Sequence, residues 1–584
     1  MASIKISTEK LFTFRRLDLV VKYLYASGVL RGCVSPAISS LYARHILMRT
    51  TGIEPVSKYG NTVKQGVQDY YDAIPKLLAS LTKNGFDEKN PVPIAAQNGL
   101  PLNGAHRIAC ARALRQDIYV EYQQDLAGYS WDFNWFLEKG FSTEDQMRIL
   151  KGFVELNPEN SALTVVWHSM FKNIGHIRSI LTEHLDIVGE IELDLEDNFI
   201  AFKNILWDIY EPINARDIQA VFDTIVAKAE LLQAGPLRFK VILLTNQEKS
   251  PTTDIHETLT GLKQIIRECF DVEIPKEIFA TLHASSNAGE AKYIADVLLS
   301  PNNIKHVKMR LDYRYEEKFM SYCRNARKFC LEMGIDTKDI CFIGSSVLTV
   351  FGIKRISDMD FTTKYFLRER LGNVTRNLLE GVDLANKGAD ILMPDGETIN
   401  DEVLVDDCEY HFIFNGLKFI NLAVVKKKKI LSSRVRDKDL AHLRQIELYE
   451  NYIGQIEQKR IFKERVLSEQ QRRWGKQLSL EKLDNQLDET SALLKRFIKK
   501  SDDDLKKLDG QLNETSVLLK CFMKRSDDDL KLIRLAMNRD KFKRWYIKYR
   551  ILSKISFGKK AKGYLEKKRR YRELLKAIQK FATE

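Results

Sequence analysis

No run of about 18 apolar residues occurs in this 584-residue chain, so no segment is long enough to cross a bilayer as a helix. The opening residues, MASIKISTEKLFTFRR, lack the apolar stretch and small-residue cleavage site of a secretory signal, which points to a cytoplasmic protein. Among the eight cysteines (Cys33, Cys110, Cys269, Cys323, Cys330, Cys341, Cys408, Cys521) there is no CxxC pair, and no CxH or HxH cluster accompanies them. Structural zinc and a disulfide framework are therefore not expected, and reduced thiols are. Most of the chain also lacks net charge. Residues 541 to 584 hold 16 Lys and Arg against 3 Glu, which accounts for the whole formal charge of +13. An electrostatic partner is expected at that tail, and the body need not be a nucleic-acid surface.

With 44% hydrophobic and 29% charged residues the chain reads as globular, and its length implies several cores. Six segments are expected, in a multidomain fold of the α/β and α+β classes. Residues 1–130 mix short helices with a strand-turn-helix, and 131–159 read as a helical linker. Over 160–317, apolar runs such as LTVVWH and RFKVILLTN alternate with helical spacing, which predicts a Rossmann-like parallel sheet with helices on both faces. Residues 318–450 form a further α/β segment, 451–535 a coiled coil, and 536–584 a basic amphipathic tail. The coiled coil rests on a repeat. LDNQLDETSALLKRFIKKSDDDLKK from Leu483 returns as LDGQLNETSVLLKCFMKRSDDDLKL from Leu508, a 25-residue period close to that of a straight helix. Its leucine and phenylalanine stripe over 480–533 predicts self-association or an intramolecular hairpin.

The chemistry-bearing stretch is CFIGSSVLTVFGIKRISDMDFTTK, residues 341 to 364. Its apolar start predicts a strand, Gly344 a tight turn, and Ser345 and Ser346 the start of a short helix, where backbone N–H groups and the helix dipole favour a phosphate. DMDFTT predicts a second strand on which Asp358 and Asp360 share a face, because side chains alternate along a strand. Paired carboxylates repel unless a cation lies between them, and Mg²⁺ shared with nucleotide phosphates meets that need. A strand end with two solvated acids has the same DxD spacing; the Gly-Ser turn 13 residues earlier favours the nucleotide site. Downstream, Asn415-Gly416 predicts a hairpin turn, and Lys418 on the returning strand is either a phosphate partner or an exposed strand lysine. His411 reads as a packed strand residue.

These residues resemble the minimal nucleotidyltransferase superfamily, whose motif is Gly-Ser at a helix start followed by Asp-x-Asp on the next strand. The resemblance covers about 120 residues. It implies metal binding by Asp358 and Asp360 and phosphate binding by Gly344 and Ser345. It also implies a third carboxylate on a later strand, with Asp390, Asp406, Asp407 and Glu409 as candidates. ATP and a CTP- or CDP-linked donor remain alternatives for the nucleotide.

A second motif, LPLNGAHRIACARAL, sets Gly104, His106 and Arg107 between a strand and a helix. An arginine at a helix start opposes the dipole, which points to an anion held there. With VPIAAQNGLPL before it and RQDIYVEY after it, the stretch resembles the ParB/sulfiredoxin-like fold, whose Gly-x-His-Arg turn contacts nucleotide phosphates. Phosphate binding at Gly104, His106 and Arg107 is implied, with a structural turn as the other reading. Asn103 stands where that family often carries an acid, which weakens the case for hydrolysis or kinase-like chemistry.

In the tail, Trp545, Tyr546, Tyr549, Ile551, Leu552 and Phe557 interleave with lysines and arginines, as suits an anionic membrane surface. YRILSKISFGKKAKGYLEKKRRYRELL resembles the C-terminal ends of bacterial capsule and lipopolysaccharide biosynthesis enzymes. The expected function is Mg²⁺-dependent nucleotidyl or phosphoryl transfer to a glycan or phosphorylated small molecule, at the cytoplasmic face of the inner membrane. The alternatives are a ParB-like nucleotide-gated DNA-binding protein and a scaffold of degenerate enzyme folds.

Overall fold

Among the described residues, four sheets of three, four, six and two strands organise the protein. The computed structural model describes residues 3–50, 64–196, 198–212, 218–232, 236–249, 251–270, 281–311, 317–371, 375–379, 382–386, 391–392, 398–431 and 436–455.

The first sheet joins β1 (Ile4–Ile6), β2 (Val92–Ala95) and β3 (Ile118–Gln123) in the order β1-β3-β2. β2 and β3 are parallel, and the Ala105–Ala113 helix makes the crossover that a parallel pair requires. This is the strand, turn and helix expected around the Gly104 motif. Its core lies under the Leu17–Leu30, Pro36–Thr50 and Val67–Asn84 helices, with Leu19, Tyr42, Ile74, Ile108 and Val120 buried.

The second sheet joins β4 (Ala162–Trp167), β5 (Asp186–Asp194), β6 (Arg238–Thr245) and β7 (Leu282–Ala284) in the order β5-β6-β4-β7. Every pairing in it is antiparallel, so the expected Rossmann-like parallel sheet is corrected. The reason lies in the coverage of its faces. The Ile174–His184 and Ile255–Phe270 helices bury Ile177, Leu181, Leu259 and Ile266 with Ala162, Val166, Ile242 and Leu244. Val165, Trp167, Val241 and Leu243 belong to the main core instead. A sheet buried on both faces has unbroken apolar strands whichever way they run, and such runs ordinarily mark parallel sheets.

The segment expected as a helical linker forms the Phe133–Glu138 and Thr143–Leu156 helices. The second of these buries Ile149, Leu150, Phe153 and Val154 in the main core, so it is central to the packing.

In the third sheet β8 (Ile340–Ile343), β9 (Met359–Thr363), β10 (Thr375–Leu379) and β11 (Val382–Asn386) lie in the order β10-β11-β9-β8. The short strands β12 (Ile391–Leu392) and β13 (Thr398–Ile399) pair with each other. β14 (His411–Phe414) and β15 (Leu417–Ile420) complete the six strands, β15 lying parallel to β8. Asn415 and Gly416 have φ of 49° and 72° and form the two-residue turn between β14 and β15.

Residues Met1–Glu457 form one compact unit, and its main core runs from Leu11 to Tyr449. The helix 437–455 includes the first residues of the expected coiled coil. The 25-residue repeat over 480–533 and the basic tail lie outside the described residues. Among the described residues, no helix is long and apolar enough to cross a membrane.

Candidate metal and nucleotide site

β8 is buried along its whole length and ends where Gly344, at φ 73°, turns the chain. That left-handed backbone suits glycine. The Ser346–Val350 helix follows and is only five residues long, so its macrodipole contributes less than the sequence suggested. Gly352, at φ 68°, ends the segment, and the chain returns as β9 antiparallel to β8.

In this register Ile343 pairs with Asp360, which sets the turn directly against the acid pair. An added Cβ on Gly344 would lie 3.6 Å from Asp360 Oδ2. Ser345 Oγ donates a 2.7 Å hydrogen bond to Asp358 Oδ1, and Ser357 Oγ donates to the same oxygen at 3.0 Å. Lys354 Nζ donates to Ser357 Oγ at 2.9 Å. Asp358 and Asp360 are both half-buried and flank the fully buried Met359, so alternation turns both acids away from the core. The structure thus brings Gly344, Ser345, Asp358 and Asp360 together across two antiparallel strands. Ser346 is different. Its side chain is buried and its hydroxyl donates to the Ile343 carbonyl at 2.9 Å, so it anchors the turn.

Two carboxylates supply hard oxygen donors suited to a divalent cation that takes its remaining ligands from phosphate and water. Among the described residues, no group of three or more His, Cys, Asp or Glu is placed to hold a metal. The proposed third carboxylates lie elsewhere. Asp406 pairs with Lys364 at 2.8 Å beyond the far end of β9, and Glu409 pairs with Arg148 at 2.8 Å. Asp407 is buried, and burial raises its carboxyl above the ordinary range. Asp390 is outside the described residues. β11 runs parallel to β9 with Leu384 beside Met359 and Ala385 beside Asp360. Asp383 precedes Leu384 in the chain as Asp358 precedes Met359.

Lys418 is neither exposed nor beside the acid pair. It is buried on β15 and donates 2.6 Å hydrogen bonds to the carbonyls of Lys338 and Val405. Burial brings its ammonium down to about 8, against the opposing pull of Asp296. His411 is buried on β14, with Nδ1 3.0 Å from the Leu404 carbonyl, as expected for a packed residue.

The second motif forms a separate cluster. Gly104, at φ 79°, caps the Ala105–Ala113 helix. His106 Nε2 is 2.9 Å from the Tyr42 hydroxyl, between the rings of Tyr42 and Tyr70. Burial, then the charges of Lys22, Lys64 and Arg49, keep this imidazole well below its ordinary range and hence neutral near pH 7. Arg107 folds back over Gly104, donates to the Asn90 carbonyl and lies 5.8 Å from the Phe86 ring. These contacts describe a braced turn.

No family model matches the chain, and no curated protein or solved structure matches it.

Proposed function

We infer that the protein is a metal-dependent nucleotidyl- or phosphoryl-group transferase whose site is the turn after β8 and the acid pair at the start of β9. One observation carries this reading: the Ser345 hydroxyl donates to Asp358 while Gly344 lies against Asp360. Residues separated by 13 positions or more in the chain meet there, which supports a shared metal-nucleotide site.

Asp358 and Asp360 would hold Mg²⁺. An ion held there would supply positive charge to neutralise a phosphate. Gly344, lacking a side chain, lets phosphate oxygens approach the backbone N–H groups of the turn, and Ser345 orients Asp358. The acceptor class, a glycan or phosphorylated small molecule of bacterial surface-polysaccharide synthesis, rests on the resemblance of the C-terminal tail.

The test is calorimetric titration of the full chain with each nucleoside triphosphate and with CDP, with and without Mg²⁺. Mg²⁺-dependent binding is expected for at least one of them. Asp358→Asn should abolish it while leaving the circular dichroism spectrum unchanged. Full binding in that variant would overturn the assignment, and loss only in Arg107→Ala would move the nucleotide to the N-terminal turn.

A further inference from the structure

The helix 437–455 is apolar on two sides. One side is packed. Ile446 and Tyr449 belong to the main core, Ile453 packs against it, and the Tyr449 ring lies 5.7 Å from that of Phe351. Glu450 and Asp439 tie the helix to the Leu422–Ile430 helix, through Lys426 at 2.6 Å and Lys429 at 2.7 Å. The other side is exposed. Leu448 is 69% and Tyr452 53% accessible, and Leu440, two turns before Leu448 in the same row, is 46% accessible. A helix with a second apolar side, turned away from its own core, has a second surface to bury.

The exposed pair keeps step with the leucine stripe of the repeat. Phe462 and Val466 stand two heptads after Leu448 and Tyr452. Leu483 and Leu487, which open the repeat, stand five heptads after them. Glu469, Arg473 and Lys476 hold seam positions in between, so the sequence carries two apolar patches in one phase. No proline occurs beyond Pro394 to interrupt it. Apolar residues in a seven-residue phase mark a coiled-coil seam, whose side chains insert between those of a facing helix.

The phase also separates the two sources of a facing helix. If the chain turned back at Gly475 or Gly510, the glycines nearest the repeat, residues equidistant from the turn would meet. Leu448 would then face Asp502 or Arg572. A second copy lying parallel and in register sets Leu448 against Leu448 and Tyr452 against Tyr452. Only this arrangement covers the apolar row with apolar side chains. We propose that a second copy of this chain docks on the Leu448 and Tyr452 face, the two helices running parallel about a twofold axis. A few partly exposed side chains are short of the roughly 800 Å² per partner that a stable interface buries, so the contact also draws on the in-phase apolar residues of the sequence beyond 455. The proposal is independent of the metal site.

The experiment is sedimentation equilibrium of the full chain up to about 50 µM, with Leu448→Asp/Tyr452→Asp beside it. Disulfide cross-linking of Leu448→Cys accompanies it, in a Cys269→Ser/Cys521→Ser background. A mass of two chains is expected, and the double variant should raise the dimer dissociation constant by at least about tenfold. Oxidised Leu448→Cys should run at twice the chain mass on a denaturing gel. Glu447→Cys, a third of a turn away from the seam, should cross-link at least about tenfold less. Glu447, Leu448 and Tyr452 are all exposed, so these variants should keep the fold, which circular dichroism checks. A single-chain mass at about 50 µM would overturn the proposal and give the face to another segment of the same chain or to a different partner. So would a mass above two chains, an unchanged dissociation constant in the double variant, or a dimer in which Leu448→Cys cross-links no better than Glu447→Cys.

Discussion

Replacing Ser345 by alanine removes a hydroxyl that donates to Asp358 Oδ1 at 2.7 Å, an oxygen that the Ser357 hydroxyl also holds at 3.0 Å. A hydrogen bond to a charged group contributes about 1.5–3 kcal/mol, or about 10- to 150-fold in an equilibrium constant. Since Ser357 still holds the same oxygen, Ser345→Ala should fall at the low end, weakening Mg²⁺-nucleotide binding by about tenfold. Ser345→Ala/Ser357→Ala should lose about 100-fold, the upper range for removing groups that orient a metal ligand. Both hydroxyls are at least partly exposed, so each single variant should change stability by less than about 1 kcal/mol. Calorimetric titration with the nucleotide in the presence of Mg²⁺, beside a thermal unfolding curve, separates the two effects. Wild-type affinity in the double variant, with binding abolished in Asp358→Asn, would refute the claim that the serines position Asp358.

Two further predictions concern the scaffold. Asp18 is fully buried, and its carboxylate accepts from Arg16 at 2.7 and 3.0 Å and from Lys22 at 2.8 Å. Asp18→Asn should therefore destabilise the fold by about 3–5 kcal/mol, while Lys22→Met should cost less at neutral pH, because Arg16 still satisfies Asp18. Urea unfolding followed by tryptophan fluorescence reads this locally, since the Arg16 guanidinium lies 4.7 Å from the Trp131 ring. Burial, opposed by Asp18, brings Lys22 from 10.5 down to about 7. Between those values the unfolded chain binds more protons, so Lys22 makes the unfolding free energy rise with pH there, and Lys22→Met should flatten that rise. In Gly189→Ala, the new methyl would lie 2.7 Å from Leu150 Cδ2 and Phe133 Cδ2, where β5 changes register. The cost should be about 1–3 kcal/mol in denaturant unfolding, and an unchanged midpoint would show that the two helices yield easily.

Short-range patterns in the sequence carried much of the fold. A four-residue apolar run, a glycine, a short helix and an alternating DMDFTT sufficed to mark β8, the turn and β9. Asn415-Gly416 likewise marked its hairpin, because positive φ at two successive residues is a local steric property. Strand direction over 162–284 was not legible, because burial of both faces gives parallel and antiparallel strands the same apolar composition. Pairings between distant segments decided the rest. They buried Lys418 against two carbonyls, set His106 against Tyr42, and placed Asp383 on the strand beside the acid pair. The sequence by itself determined which residues turn, alternate and repeat, since those follow from backbone sterics and side-chain period. Only the tertiary structure decided which of them meet, because contact depends on strand register and helix packing between residues far apart in the chain.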